Sequence, residues 1–425
     1  MSFTRLGLEA RSRCSVPNSE FSKLRILVTD AGLGSAITII RSLGRKGWQV
    51  IAADSQPQSL GFRSRYAHEH VLYPAPETAP AEFVAALLMF AQENEIDLII
   101  PVTDASLLPL SEARQRFAGL CQLALPDAPA LEIVTNKLKT LELAQQLAVP
   151  IPKTHLVHTV QEACEHAPRL GWPIVLKPQT SRVIREKVGI EAFTVVYAEN
   201  LNQLEIQMHR FAGRCSVLLQ EYYPGTGMGV ELLLYQSRPL AAFQHKRLRE
   251  IPITGGASAF REGVMLDPEL YEYSLRLLRA LNWTGLAMVE FKVGDEGPML
   301  MEINGRVWGS LPLAVHSGMD FPARLVELYL NGPPANGAPP DSTYARGVRS
   351  RNLELEVLWI ASVLRGKRRY PFLEIPKRRW GIKPLLELFH PAYKFDILSL
   401  DDPLPGLAEV PKIVRKLGKK LREAA

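Results

Sequence analysis

The chain has only four cysteines in 425 residues, Cys14, Cys121, Cys164 and Cys215, none at metal-ligand spacing. That scarcity excludes a disulfide scaffold and a cysteine-bound zinc site, and free thiols suit the reducing cytoplasm. Long apolar runs are missing as well. No uncharged stretch reaches the roughly 18 residues that a transmembrane helix needs. The N-terminus carries Arg5, Glu9, Arg11 and Arg13 with no apolar run between them, so a secretory signal is not expected. A chain-wide excess of positive charge is also absent. The net charge is +6, but residues 333–425 hold 18 Lys+Arg against 10 Asp+Glu, and residues 1–332 hold 32 against 34. The basic character belongs to the last quarter alone, which argues against nucleic acid as a partner. What is present suits a globular protein: 47% apolar and 22% charged residues, with length for two to four domains.

Residues 1–22 read as a flexible leader. An α/β pattern then starts. Leu24–Thr29 is an apolar strand, followed by Asp30, Gly32 and Gly34, a helix over Ser35–Lys46, and a second strand over Trp48–Ala53 that ends at Asp54. A helix over Ala79–Asn94 leads to a strand at Asp97–Pro101. The expectation for 23–130 is a parallel sheet with helices on both faces. Residues 131–332 read as a larger α+β unit. It has a helix over Thr135–Ala148, short strands at Pro173–Lys177 and Val217–Glu221, and long strands at Gly229–Gln236 and Leu240–Arg249. A helix over Glu269–Leu281 and a hairpin of Gly285–Val293 with Pro298–Asn304 complete it. Asn331–Pro340 is rich in Pro and Gly and reads as a linker. Residues 333–425 form a basic, mainly helical extension.

The glycine turn after the first strand has three readings. It is a dinucleotide-type phosphate turn with Asp54 on a ribose, a tight strand-to-helix turn, or the lining of a site for a substrate other than a nucleotide. Ile37 occupies the third glycine position, which weakens the first.

The strongest chemical signal is the hairpin. Glu302 and Asn304 share one strand face, and a turn centred near Glu296 sets Glu290 opposite Glu302. Facing carboxylates repel, and a hard cation with oxygen ligands removes the penalty. Leu286, Met288 and Leu300 are expected on the same face as the acids, so the pair should be partly buried. Arg306 follows, placed to neutralise a transferring phosphoryl group. Lys137 opens a helix and Lys177 ends an apolar strand; each suits a phosphate contact. Gln220, Glu221, Tyr222 and Tyr223 end another strand, where backbone can meet an adenine edge and Glu221 or Glu231 can reach a ribose. His245, Arg247 and Arg249 alternate, so all three are expected on one face as an anion site, beside the glycine loop of Gly255, Gly256 and Ser258.

In this order, Asn136-Lys137, Val149–Pro152, Ile174–Pro178, Leu219–Gly225, and Glu290 with Glu302, Asn304 and Arg306 resemble the ATP-grasp superfamily. The hairpin resembles the Glu…Glu-x-Asn-Pro-Arg pattern of carbamoyl-phosphate synthetase and biotin carboxylase, with Gly305 in place of the proline. His245–Glu250, Gly255–Ser258 and Arg306–Ser310 are similar to the carboxylate–amine ligase branch. The resemblance covers residues 24–332. It implies a Rossmann-like pre-ATP-grasp domain and a two-lobed ATP-grasp fold. It implies ATP held by Lys137, Lys177, the Gln220–Tyr223 segment, Glu231 and the Gly255–Ser258 loop. It also implies Mg²⁺, two ions, with Mn²⁺ able to stand in, on Glu290, Glu302 and Asn304. Arg306, His245, Arg247 and Arg249 would then serve the acyl phosphate. The implied reaction joins a small-molecule carboxylate to an amine; a nucleotide-binding regulatory or assembly role and a nicotinamide dehydrogenase are the alternatives. A homodimer is left open. For the extension, two readings stand: a packed region with a solvated basic rim, or contact with an anionic surface through Ile413, Leu417 and Leu421.

Overall fold

The computed structural model describes residues 24–179, 182–185, 189–192, 195–211, 213–253, 255–335, 339–365, 372 and 382–422. The leader expected over 1–22 lies outside them. The chain opens with β1 (Arg25–Val28), α1 (Gly34–Arg45), β2 (Gln49–Asp54), β3 (Glu69–Leu72), α2 (Pro80–Asn94), β4 (Leu98–Ile100), α3 (Asp104–Glu112) and β5 (Gln122–Leu123). The five strands form a parallel sheet of order β3-β2-β1-β4-β5. Ile26, Leu27 and Val28 are wholly buried, as unbroken apolar strands of a parallel sheet must be. The order reverses direction between β1 and β4, which opens a crevice at the carboxyl ends of those strands.

Two helices follow, α4 (Ala128–Thr135) and α5 (Lys137–Gln146). The sequence pattern suggested one helix over Thr135–Ala148. Asn136 breaks it, because its side chain caps α5 by accepting from the backbone N–H groups of Leu138 and Lys139. A small antiparallel sheet of order β10-β7-β11-β6 comes next. It comprises β6 (Thr154–Val157), α6 (Val160–Leu170), β7 (Ile174–Pro178), β10 (Val196–Ala198), α7 (Leu201–His209) and β11 (Val217–Glu221), with β8 (Arg182–Arg185) and β9 (Gly189–Ala192) paired separately.

The large sheet has seven strands, ordered β16-β15-β12-β13-β14-β17-β18. Its strands are β12 (Thr226–Tyr235), β13 (Arg238–Ile251), β14 (Ala257–Val264), β15 (Gly285–Gly294), β16 (Gly297–Asn304), β17 (Arg349–Arg351) and β18 (Lys394–Phe395). Around it lie α8 (Pro268–Ala280), α9 (Leu311–His316), α10 (Phe321–Asn331), α11 (Leu353–Arg365), α12 (Ile382–Glu387) and α13 (Pro403–Arg422). One face buries Val230, Leu232, Val289 and Phe291 against α4 and α8. The other buries Phe243, Leu286 and Met288 with Trp308, Phe321 and the α1 residues Ile39 and Leu43. The parallel sheet is therefore docked on the large sheet through α1.

The C-terminal region departs from a helical appendix in two ways. It donates β17 and β18 to the large sheet, with β17 paired to β14. It also ties the two sheets together through ion pairs. Arg249 of β13 pairs with Glu356 and Glu387, Arg261 of β14 with Asp396 at 2.6 Å, and Arg41 of α1 with Asp402 at 2.9 Å. Of the residues of the expected apolar face, Ile413 is buried and Leu417 half-buried. Among the described residues no helix is long and apolar enough to cross a bilayer.

Candidate active site

The two acids meet across β15 and β16, with Glu290 opposite Glu302 and Asn304 opposite Met288. The turn is Asp295-Glu296, and the strands start in the register of Gly294 against Gly297. That register alone would set Glu290 against Met301. A β-bulge between Phe291 and Glu290 shifts it by one and brings Glu302 opposite. The same bulge corrects one expectation: Leu300 pairs with Phe291 and is buried on the other face, away from the acids. The Asn304 amide donates to Glu290 Oε1 at 3.1 Å and to Glu302 Oε1 at 3.3 Å. Arg247 Nη2 lies 2.5 Å from Glu290 Oε2.

Burial pushes Glu290 above the usual carboxylate range; Arg247 opposes this and Glu302 adds to it. Burial pushes Glu302 the same way, but Lys137, Lys177 and Arg306 outweigh it and hold Glu302 low. Two such acids need a positive charge between them. A divalent cation fits this oxygen donor set once the amide turns its Oδ1 inward. Among the described residues no group of three His, Cys, Asp or Glu stands together, and the side chain that touches both acids is the Asn304 amide.

The hairpin faces a cleft of about 610 Å³. Fourteen of the seventeen residues singled out from the sequence line it: Lys137, Lys177, Gln220, Glu221, Tyr222, Tyr223, Arg247, Gly255, Gly256, Ser258, Glu290, Glu302, Asn304 and Arg306. They come from the small sheet, the large sheet and α5. The parallel sheet supplies a further wall of Leu33, Gly34, Ser35, Thr103 and Asp104. Arg306 Nε donates to Asp104 Oδ2 at 3.1 Å, which holds the guanidinium at the junction of the two sheets. The Glu221 carboxylate is engaged, accepting from the Lys153 backbone N–H at 2.8 Å.

Burial pushes the Lys177 ammonium down to about 8; Glu302 opposes this, and Lys137 and Lys292 reinforce it. An ammonium binds phosphate only while protonated. ADP affinity should therefore be full near pH 7 and weaken as pH rises through about 8. Lys177→Arg, which stays charged, should flatten that profile. The check is ADP titration calorimetry from pH 6.5 to 9.5, and a flat wild-type profile would count against a phosphate contact for Lys177.

Three residues are not in the cleft. His245 is fully buried, with Nδ1 2.9 Å from Glu231 Oε1, and it packs where a side chain at Gly229 would stand. Glu231 is equally buried and also accepts from Ser310 Oγ at 3.0 Å, so neither reaches a ribose or an acyl phosphate. Arg249 was expected beside Arg247. Bulges on either side of it turn it away to Glu356, Glu387 and the rings of Phe260 and Trp359. Period-two alternation does not survive a bulge.

Several cleft residues escaped the sequence reading. Lys292 lies two residues after Glu290 on the same strand, a spacing that alternation could have used to find it. Asp104 and Arg306 are 202 positions apart, and no local pattern joins them. The glycine turn lines the cleft through Leu33 and Gly34. Asp54 is buried and accepts from Gly32 N, Gln56 N and Ser59 Oγ, so its carboxylate is turned to its own loop, which counts against a ribose contact there.

A family model described as ATP-grasp in the biosynthetic pathway with Ter operon matches residues 214–352. The chain carries an ATP-grasp domain. Over 278 residues the chain is 23% identical to the carbamoyl phosphate synthase large chain of Archaeoglobus fulgidus, covering 64% of this chain and 24% of that one. It thus spans about a quarter of the length of that relative. The L-amino acid ligase of Bacillus licheniformis superposes with a TM-score of 0.57 at 16% identity, over 72% of this chain and 74% of that one. The biotin carboxylase of Campylobacter jejuni, solved with a β,γ-ATP ligand, gives 0.59 at 17% identity, over 76% and 74%. These likenesses establish the mixed α/β ATP-grasp fold.

Within this ATP-grasp domain the missing proline has a local cause. A Cβ on Gly305 would lie 2.6 Å from Trp283 and 2.9 Å from Val134, so the indole fills the space a proline ring would take. Gly305→Pro should lower stability by about 1–3 kcal/mol, the usual cost of overpacking, measured by urea unfolding. Unchanged stability would show that the indole moves freely.

Proposed function

We propose that the chain is an ATP- and Mg²⁺-dependent ligase that activates a substrate carboxylate as an acyl phosphate and joins it to an amine. The observation that carries this reading is the convergence of Lys137, Lys177, Glu290, Glu302, Asn304 and Arg306 on one cleft walled by the parallel sheet. A carboxylate oxygen attacks the γ-phosphorus, the bond to the β-phosphate oxygen breaks, and ADP leaves. The amine nitrogen then attacks the acyl carbon, phosphate leaves with the bonding pair, and the nitrogen loses its proton.

In this reading Lys137 and Lys177 position the phosphates, and the Gln220–Tyr223 segment receives the adenine beside Val175, Phe291 and Met301. Glu290, Glu302 and Asn304 would hold the metal, which supplies charge neutralisation on the phosphates. Arg306 neutralises the acyl phosphate, and Arg247, released from Glu290 by the cation, faces the same group. His245 and Glu231 act only as packing behind the hairpin. The proposal keeps a pre-ATP-grasp domain over 23–130, the grasp over 131–332 and an extension over 333–425, in a cytoplasmic protein. Positioning and electrostatics supply most of the rate in such phosphoryl transfers.

The test is ADP and phosphate release across a panel of amino acids and small carboxylates. Release that depends on a carboxylate, followed by amide formation with an amine, is the expected result. Nucleotide binding without carboxylate-dependent release would favour the regulatory alternative.

A further inference from the structure

A second cavity of about 1080 Å³ lies at the carboxyl ends of β1 and β2, in the crevice of the parallel sheet. Its floor is Asp30, Gly32, Leu33 and Asp54; its side is Ser59, Leu60 and Arg63; its roof is α13, through Ala408, Pro411, Lys412 and Arg415. Leu33 and Thr103 line both this cavity and the ATP-grasp cleft, so the two volumes adjoin at the glycine turn.

Three acids, Asp30, Asp54 and Glu77, and three bases, Arg63, Lys412 and Arg415, line the cavity, but the two aspartates are engaged by neutral donors of their own domain. Asp54 spends both oxygens on its own loop. Asp30 accepts from Thr29 Oγ1, Ser106 Oγ, Tyr73 Oη and the Thr103 backbone N–H. Glu77 stands on the rim. Against these, Lys412 has its nearest carboxylate, Glu354, at 3.9 Å, and Arg415 donates weakly to the Pro411 carbonyl at 3.4 Å. Arg63 makes no hydrogen bond or ion pair among those of the described residues.

Helix α13 is also anchored away from the cavity. The segment leading into that helix is fixed by Asp402, which pairs with Arg41 and accepts from Ser64 Oγ at 2.7 Å and Arg65 N at 3.0 Å. Ile413 then seals its inner face. Three exposed cations from two separate elements thus face a cavity next to the cleft, and of the three only Lys412 has a carboxylate partner among the described residues, Glu354 at 3.9 Å.

We propose that this cavity binds the part of the substrate remote from the reacting carboxylate, and that this part carries an anionic group, a phosphate monoester or a second carboxylate, received by Arg63, Lys412 and Arg415. The assignment rests on the ligase reading, since it takes the reacting end to lie at Arg306. The substrate class is then a small acid with anionic groups at both ends, and the C-terminal helix sets specificity for it.

Titration calorimetry on the MgADP-loaded full chain tests this with four probes: O-phosphoserine and glutamate, and their neutral counterparts serine and glutamine. The expected result is that at least one acid binds tenfold or more tighter than its counterpart, and which one does so distinguishes phosphate from carboxylate. The advantage should vanish in Lys412→Glu/Arg415→Glu and shrink in Arg63→Gln, which lies on a different element, while MgADP affinity stays within twofold. Equal binding of acid and neutral probe, or an advantage that survives charge reversal, overturns the proposal. Loss of MgADP binding in the double variant would mean that the fold is damaged, and Arg63→Gln then decides. Failure of the ligase reading appears separately, as absent MgADP binding or absent turnover in the wild type.

Discussion

Glu302→Ala should reduce Mg²⁺-dependent ADP formation by about 10³-fold or more, the scale of several kcal/mol on the barrier. Glu302 is the acid that its neighbours hold ionised: burial works against the charge, and Lys137, Lys177 and Arg306 prevail. Glu290, which burial pushes up, is the weaker partner at neutral pH. Removing Glu302 therefore takes away the more dependable charge and leaves three cations facing an incomplete site. Asn304→Ala should act in the same direction but less, because it removes a neutral ligand. The measurement is a coupled ADP assay over a Mg²⁺ titration, with thermal unfolding to verify the fold. Wild-type rates in both variants would sink the metal assignment.

Asp402→Ala should cost about 3–5 kcal/mol of stability, the range for breaking a buried ion pair by removing one partner. The Arg41 and Asp402 side chains are 6% and 1% exposed, so the guanidinium would remain buried without its counter-ion. The Ser64 hydroxyl and the Arg65 N–H lose their acceptor as well. Asp401 is the control. It pairs with Arg45 at 2.7 Å with both side chains more than two-fifths exposed, and Asp401→Ala should cost no more than about 1 kcal/mol. Urea unfolding compares the two. Equal and small losses would show that the tail is not anchored at Asp402.

The parallel sheet was readable because its strands are unbroken apolar runs closed by glycine and aspartate, a pattern that depends only on near neighbours. The boundaries of Val217–Glu221 were legible for the same reason. The hairpin was readable in its pairing, yet through a geometry the sequence does not announce: the two-residue turn and the bulge beside Phe291 each move the register, and together they restore Glu290 to Glu302. Where a bulge had no such compensation, alternation misled. Arg249 left the face of Arg247, and Leu300 left the face of Glu302. His245 and Glu231 were misplaced for another reason. Each is a polar residue whose partner lies on the adjacent strand, and a buried pair looks, in sequence, like two site residues. The roof of the second cavity was beyond local inference, since α13 reaches the crevice from about 350 positions away along the chain.

The ion pairs of the C-terminal region have a mechanical consequence. They fasten α1 and the large sheet to the same stretch of chain, through Asp402 on one side and Glu356, Glu387 and Asp396 on the other. The parallel sheet and the large sheet thereby become a single anvil. The small sheet of β6, β7, β10 and β11 receives none of these ties and connects to the rest through residues 147–153 and 222–225. It carries Lys177, and among the described residues it meets the C-terminal region through Tyr197 and Tyr222 on the ring of Phe372. The extension thus fixes the walls formed by the parallel and large sheets to each other by buried charge, while it meets the wall that carries Lys177 through the ring of Phe372.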